Sequence, residues 1–244
     1  MERLYGNEGA SRIRRAHVAV VGIGGVGSWT VEALARSGVG HLTLIDMDHV
    51  AESNVNRQIH AVTATLGMAK VEAMKDRVWQ INPRCHVNTV DEFVTPQNWA
   101  TLLPAGVDAV IDACDQVSAK TAMAAWALFT KSTFVSVGAA GGKRFAHCVD
   151  IADLSAVTHD PLLAQLRNRL RKEHSAPREG KKMGINCVFS REAVRRPDDS
   201  CVVSGDGTLN CHGYGSVVSV TATFGQCAAG WVLEKISSDL AKSV

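Results

Sequence analysis

Arg57, Lys70 and Asp115 are the residues of this sequence best suited to phosphate chemistry. Arg57 sits in Ser53-Asn54-Val55-Asn56-Arg57-Gln58, Lys70 follows Gln58 by twelve residues, and Asp115 closes the run Asp112-Ala113-Cys114-Asp115. Phosphoryl and nucleotidyl transfer build negative charge on phosphate oxygens, and preorganised cations neutralise it. Arg57 and Lys70 could meet on one triphosphate. Taken singly, Arg57 reads equally well as a solvated loop charge and Lys70 as an exposed helix residue. Asp112 and Asp115, three residues apart, suggest a magnesium ligand. Mg2+ takes one or two carboxylates and fills its other positions with phosphate oxygens and water. Asp115 is equally well placed to cap a helix.

Upstream, Gly22-Ile23-Gly24-Gly25-Val26-Gly27-Ser28 joins a β-branched run, His17 to Val21, to an amphipathic segment, Ser28 to Arg36. Glycines there permit a tight turn and close backbone approach, and a helix N-terminus offers free N–H groups to a phosphate. The same loop would also serve plain helix–strand packing. Asp46 ends the next apolar run, where a carboxylate can accept hydrogen bonds from ribose hydroxyls. Asp48, Asn54, Asn56 and Gln58 follow it. A dehydrogenase needs no cation pair at this point. Arg57 and Lys70 therefore favour ATP over a nicotinamide dinucleotide.

These groups need a scaffold of alternating strands and helices. His41 to Asp46, Val87 to Phe93, Val107 to Asp112 and Thr133 to Val137 read as strands, and Met68 to Gln80 and Val117 to Phe129 as helices. Such alternation predicts an α/β, Rossmann-like fold with a mainly parallel sheet and helices on both faces. Residues 1–150 are expected to form the nucleotide-binding core. Residues 151–244 form a smaller C-terminal extension of what is read as one compact unit. Phe145 to Ile151 reads as a strand leading into it, Pro161 to Glu173 as a basic helix, Ser175 to Gly184 as a loop, and Ser216 to Lys235 as a final, mostly buried helix.

Composition narrows the setting. The chain has 244 residues, 46% of them apolar and 20% charged, with a net charge of +2. A wholly disordered chain would be less apolar and more strongly charged. Seven cysteines show no CxxC pair, which favours reduced thiols in a cytoplasmic protein over a disulfide framework. MERLYGNEGASRIRR has no apolar core, so no signal peptide is expected. Gly207 to Leu233 is uncharged, but its Ser, Thr, Asn, His and Gln residues suit a buried helix better than a membrane span. Between Arg167 and Lys182, seven cations (Arg167, Arg169, Arg171, Lys172, Arg178, Lys181, Lys182) face only Glu173 and Glu179. An RNA backbone would reward this local excess. A solvated helix face and loop is the plainer reading.

GxGGVGS at Gly22 to Ser28, DxD at Asp46 to Asp48, NxxRQ at Asn54 to Gln58, Lys70 and DxxD at Asp112 to Asp115 together resemble the E1-like (ThiF/MoeB/HesA-type) superfamily of ATP-dependent carboxylate adenylyltransferases. Gln116 departs from the pattern, since many members have Asn there. Within the superfamily, VVGIGGVGSWTVEALARSGVG, NRQIHA, QINPRC, DEFVTPQN, NCVFS at Asn186 to Ser190 and VTATFG at Val220 to Gly225 are similar to the tRNA threonylcarbamoyladenosine dehydratases. The resemblance spans nearly the whole chain. It implies ATP and Mg2+, with Arg57, Lys70 and Asp115 catalytic and Asp115 on the metal. Gly22, Gly24, Gly25, Gly27, Ser28, Asp46, Asp48, Asn54, Asn56, Arg57, Gln58 and Lys70 are the implied nucleotide contacts.

The resemblance further implies a tRNA substrate whose threonylcarbamoyl carboxylate is adenylated and then cyclised. The alternative is adenylation of the C-terminus of a sulfur-carrier or ubiquitin-like protein. Sulfur-carrier activators often use paired CxxC motifs for zinc, and ubiquitin activators need a cysteine nucleophile. A tethered nucleophile needs neither. Cys187, Cys201, Cys211 and Cys227 are open to sulfur handling or to simple burial. A homodimer is implied, as is a cysteine desulfurase or sulfur-acceptor system as partner. In related dimers an N-terminal arginine reaches the partner's ATP site. Here Arg3 or Arg12 would supply it, unless the native start lies upstream.

Overall fold

Successive residues of a strand face opposite sides of a sheet, and here both sides are apolar. The computed structural model describes residues 1–178, 180–196 and 214–238. In it β1 (His17–Val21) sends Val18 and Val20 into one apolar layer and Ala19 and Val21 into the other, as a strand buried on both faces must. β2 (His41–Ile45), β3 (His86–Val90), β4 (Ala109–Asp112) and β5 (Thr133–Val137) join β1 in a parallel array. β6 (Val149–Asp153) and β7 (Asn186–Ser190) complete a seven-stranded sheet in the order β3-β2-β1-β4-β5-β7-β6. β7 runs parallel to β5, and β6 antiparallel to β7. One face carries α1 (Glu2–Arg15), α2 (Gly27–Arg36), α3 (Lys70–Ile81) and α7 (Val218–Ser237). The other carries α4 (Trp99–Leu102), α5 (Val117–Thr130) and α6 (Pro161–Glu173). This is the mainly parallel, doubly covered sheet that the alternating pattern predicts.

One expected strand differs, and two elements form where none is read from the sequence. The strand expected at Phe145 to Ile151 begins only at Val149, and Ala146–Cys148 forms a 3-10 turn. Glu192 Oε2 accepts the backbone N–H groups of Arg144 and Phe145, both at 2.9 Å, which removes those donors from any ladder. NCVFS becomes β7, inserted between β5 and β6, so the residues after 150 extend the same sheet. Helix α1 has no clear apolar stripe. Gly6 interrupts it at φ 69°, and Gly9, Ala10 and Ile13 are its buried residues. It packs on the end of α7, where Arg12 Nε donates to the Ser237 carbonyl at 3.0 Å and Nη2 donates to the same oxygen. A cation at a helix C-terminus is favourably placed. Arg12 is therefore engaged within its own chain, whereas Arg3 is exposed. The final helix is found at Val218–Ser237, and the Gly207–Gly213 part of the uncharged stretch lies outside the described residues. No helix among the described residues is long and apolar enough to cross a membrane.

Candidate active site

The chain passes from β1 to β2 on one side of the sheet and places β4 on the other. Such a reversal opens a crevice at the carboxyl ends of the strands. A cavity of about 560 Å³ lies there, and Gly22, Gly24, Gly25, Asp46, Asp48, Arg57, Gln58, Lys70 and Asp115 are all on its wall. Two glycines make the approach possible. A Cβ on Gly22, whose φ is 85°, would lie 2.8 Å from the Cys114 nitrogen, and one on Gly27 would lie 1.8 Å from the Gly22 carbonyl oxygen. Gly27 thus seats α2 on the turn and is not on the wall. Ser28 is fully buried, and its Oγ accepts the Ile59 N–H at 3.4 Å.

Asp46 Oδ2 accepts the Ile23 N–H at 2.6 Å, and Oδ1 accepts that of Asp48 at 2.8 Å. One carboxylate thereby fixes both the glycine loop and the turn after β2. Burial raises its pKa, against the pull of Lys70 and these hydrogen bonds. Lys70 is buried, and its Nζ lies 2.6 Å from Oδ2 of the half-exposed Asp48. Arg57 is anchored through its carbonyl, which accepts from Trp29 Nε1 at 3.0 Å and Thr221 Oγ1 at 3.3 Å. Its stem crosses the loop 3.4 Å from where a Gly25 Cβ would stand. Its Nη1 donates to Ser53 O at 2.6 Å and to Asn56 Oδ1 at 3.0 Å. Asn54 Oδ1 accepts the Ala51 N–H at 3.0 Å, and Asn56 Nδ2 donates to Ser216 O at 2.9 Å. Both asparagines shape the loop around Arg57 and stand off the cavity wall.

The two aspartates after β4 have opposite fates. Asp112 is committed to the core and is off the cavity wall. Its fully buried Oδ2 accepts from Lys120 Nζ at 3.0 Å and from Ser136 Oγ at 2.7 Å. Asp115 does not cap α5, because Gln116 occupies the N-cap position. Its carboxylate is exposed on the cavity wall and makes no hydrogen bond or ion pair among the described residues. Those residues hold no group of three or more His, Cys, Asp or Glu side chains able to bind a metal. A lone open carboxylate beside a phosphate site does suit Mg2+, which draws most of its ligands from phosphate and water.

Sequence reasoning missed the second glycine run. Gly138, Ala139, Ala140 and Gly141 line the cavity, as do Gln165 on α6 and Tyr214. Asp160 holds the run in place: Oδ2 accepts the Ala139 N–H at 2.9 Å, while Oδ1 caps α6 through Leu163 N at 2.9 Å. The signal was present, since VGAAGG follows β5 as GIGGVG follows β1, and Asp160-Pro161 is a helix start. Nothing local marks Gln165 or Tyr214.

The basic segment divides. Arg167 Nη1 is turned inward to the carbonyls of Leu154 at 3.1 Å and Val157 at 2.9 Å. Arg171 Nε donates to Pro177 O at 3.3 Å. Arg169, Lys172, Arg178, Lys181 and Lys182 are exposed. Asn168, Arg171, Lys172 and Arg178 line an open depression of about 520 Å³. Cys187 is buried and Cys227 half-buried, and burial raises both thiols. Cys201 and Cys211 lie outside the described residues.

Buried His60, near enough to Lys70 to feel its charge, has neither ring nitrogen hydrogen-bonded among the described residues. Burial, with Lys70 and Arg77 nearby, lowers its pKa from 6.5 to about 4. Between those values the unfolded chain binds a proton that the folded chain refuses. This contribution is intact above pH 6.5 and is lost as the pH falls toward 4, by about 3 kcal/mol. Denaturant midpoints should drop across that window in the wild type and drop less in His60→Leu. Parallel slopes would remove His60 as the responsible group.

A switch-point crevice with a glycine loop and converging Arg57, Lys70 and Asp115 defines a nucleotide-binding α/β protein equipped for phosphate charge. Residues 1–243 match the ThiF family, and the chain belongs to it. The tRNA threonylcarbamoyladenosine dehydratase of Haemophilus influenzae is 44% identical over 96% of this chain and 90% of its own length. The crystal structure of Escherichia coli tRNA N6-threonylcarbamoyladenosine dehydratase, TcdA, in complex with ATP superposes with a TM-score of 0.89. That match has 43% identity and covers 100% of this chain and 94% of that one. The AMP complex of the same enzyme also gives 0.89, at 43% identity and covering 99% and 94%.

Proposed function

We propose that this chain is an ATP-dependent tRNA threonylcarbamoyladenosine dehydratase. The observation that carries the reading is the meeting of Arg57, Lys70 and Asp115 on one cavity, in a chain similar over nearly its whole length to a dehydratase crystallised with ATP and with AMP. A carboxylate oxygen of the threonylcarbamoyl group, on the adenosine beside the anticodon, attacks the α-phosphorus of ATP, and pyrophosphate leaves with the electrons of the broken P–O bond. An atom of the same ureido group then attacks the acyl carbon. AMP departs, a proton is lost and the ring closes, for a net loss of one water. The nucleophile is tethered, so proximity replaces a cysteine intermediate.

The glycine loop holds the nucleotide by close backbone approach. Lys70 is kept at the wall by Asp48 and Arg57 by its own loop, so both cations are in place before phosphate charge develops. Asp115 would hold Mg2+, which when bound supplies further charge neutralisation at the phosphates. The unit read here is a homodimer working in the cytoplasm, with exposed Arg3 available to a partner. The sulfur-acceptor partner rests on the family resemblance. Burial raises the thiols of Cys85, Cys114, Cys187 and Cys227, which does not suit sulfur transfer.

Incubation with ATP, Mg2+ and tRNA bearing threonylcarbamoyladenosine, followed by nucleoside mass analysis, tests the reading. Loss of one water with matching release of AMP and pyrophosphate is expected. AMP release only in the presence of a carrier-protein C-terminus would transfer the activity to the alternative. The exposed cations around α6 are the tRNA surface in this reading. Replacing Arg169, Lys172, Lys181 and Lys182 together by Ala should weaken tRNA binding and flatten log affinity against log salt by about 1 per lost phosphate contact. ATP affinity should hold. A titration unchanged at low and high salt would place the RNA surface elsewhere.

A further inference from the structure

Phe145 is 44% exposed and belongs to neither apolar layer, yet its position is fixed. The Glu192 carboxylate that takes the Arg144 and Phe145 N–H groups is itself nearly buried, at 7% side-chain exposure. The Glu192 carbonyl receives buried Lys143 Nζ at 2.6 Å, and Lys143 also reaches the His159 carbonyl at 3.0 Å. The Arg195 guanidinium stands over the Phe145 ring, 5.3 Å from its centroid. Arg195 Nε lies 3.3 Å from Glu192 Oε1, and its backbone N–H donates to Gly142 O at 2.9 Å. The His147 ring lies 5.6 Å from that of Phe145, tilted by 38°. All three planar groups are exposed. They adjoin the cavity mouth, because Val194 and Gly141, the chain neighbours of Arg195 and Gly142, are on the cavity wall.

A fixed, half-exposed aromatic ring with a guanidinium over one face and an imidazole tilted against it, and a cavity at its edge, has the chemistry of a stacking surface for a flat ring that carries phosphate. We infer that Phe145, Arg195 and His147 form a stacking platform for an unpaired base of the RNA next in the strand to the nucleoside that enters the cavity. The inference rests on the tRNA reading above. Every base offers a π-face to an aromatic or guanidinium plane, and unpaired loop bases can splay out to use it. The cation also faces the backbone phosphate on which that base is carried. Glu192 keeps the platform rigid, so the base docks on a surface already formed.

Anticodon stem-loop RNAs carrying threonylcarbamoyladenosine, with 2-aminopurine on its 5′ side in one and its 3′ side in the other, test this with wild-type protein and Phe145→Ala, Phe145→Leu and Phe145→Trp. One of the two probes should change its fluorescence on binding wild type and Phe145→Trp, and should not on binding the Ala or Leu variants. The KM for RNA should rise about tenfold in Phe145→Ala, with kcat and the KM for ATP near wild type. Phe145→Leu keeps apolar bulk without a π-face and should behave like Ala, whereas Phe145→Trp should restore the wild-type KM. The Leu and Trp pair decides the matter if Phe145→Ala loses ATP binding. If wild type converts the RNA but the Ala and Leu variants keep its KM and its fluorescence response, the platform is wrong and the dehydratase reading stands. If wild type leaves the nucleoside unchanged, both fall.

Discussion

Arg57→Ala and Lys70→Ala should each lower the single-turnover rate of AMP formation by at least about a hundredfold, with thermal unfolding close to wild type. Loss of one preorganised donor to developing charge costs about 3 kcal/mol of barrier. The structure explains why folding should be spared. Arg57 is built into the fold through its carbonyl, held by Trp29 and Thr221, and alanine keeps that carbonyl. Lys70→Ala removes the partner of Asp48, but the Asp48 side chain is 52% exposed and recovers solvation at small cost. Lys70→Arg retains the charge while changing its shape, so partial activity there would separate electrostatics from packing. Rates within a few-fold of wild type in both alanine variants would show that neither cation faces the reacting phosphate.

Much of this site could be read from local spacing, because its parts are local. A glycine loop between a strand and a helix, an aspartate ending the next strand and two cations downstream need no distant contact to be seen. What was hidden depends on pairs far apart in the chain. Nothing around NCVFS says that it will slip between β5 and β6. Nothing around Phe145 says that Glu192 will take its N–H and delay the strand. Gly9 packs α1 closely on α7 at Ser237, and Ala10 beside it is buried, but both are too small to mark a stripe. The basic segment was legible as charge but not as surface, since only the carbonyls of Leu154 and Val157 reveal that Arg167 turns inward. Asp112 and Asp115 make the point most sharply. They share a type and a neighbourhood, yet Lys120 on α5 and Ser136 on β5 draw one into the core and leave the other on the cavity wall.

That buried partner leads to the largest expected effect on stability. Lys120→Met should destabilise the fold by about 3–5 kcal/mol, because it strands a buried carboxylate with its counter-charge removed. In the wild type, Lys120 and Asp112 both have no exposed side-chain surface. Burial alone would depress the ammonium, but Asp112 holds its pKa above the ordinary lysine value. Nζ also donates to the Val137 carbonyl at 2.7 Å and lies 3.4 Å from that of Asp112. One ammonium therefore ties together the ends of β4 and β5, where the chain leaves for Asp115 on one side and for the Gly138–Gly141 run on the other. In a chain of this size the loss corresponds to a fall in Tm of about 10 °C, and ATP affinity should weaken because the cavity floor is loosened. Asp112→Asn combined with Lys120→Met removes both charges and should recover much of the stability, giving a strongly non-additive double-mutant cycle. It should recover less of the ATP affinity, because the tie to Val137 is still missing. Additive losses would mean that the two charges are not coupled in the folded state. A Lys120→Met protein as stable as wild type would mean that Asp112 is neutral there and that the floor is held by other contacts.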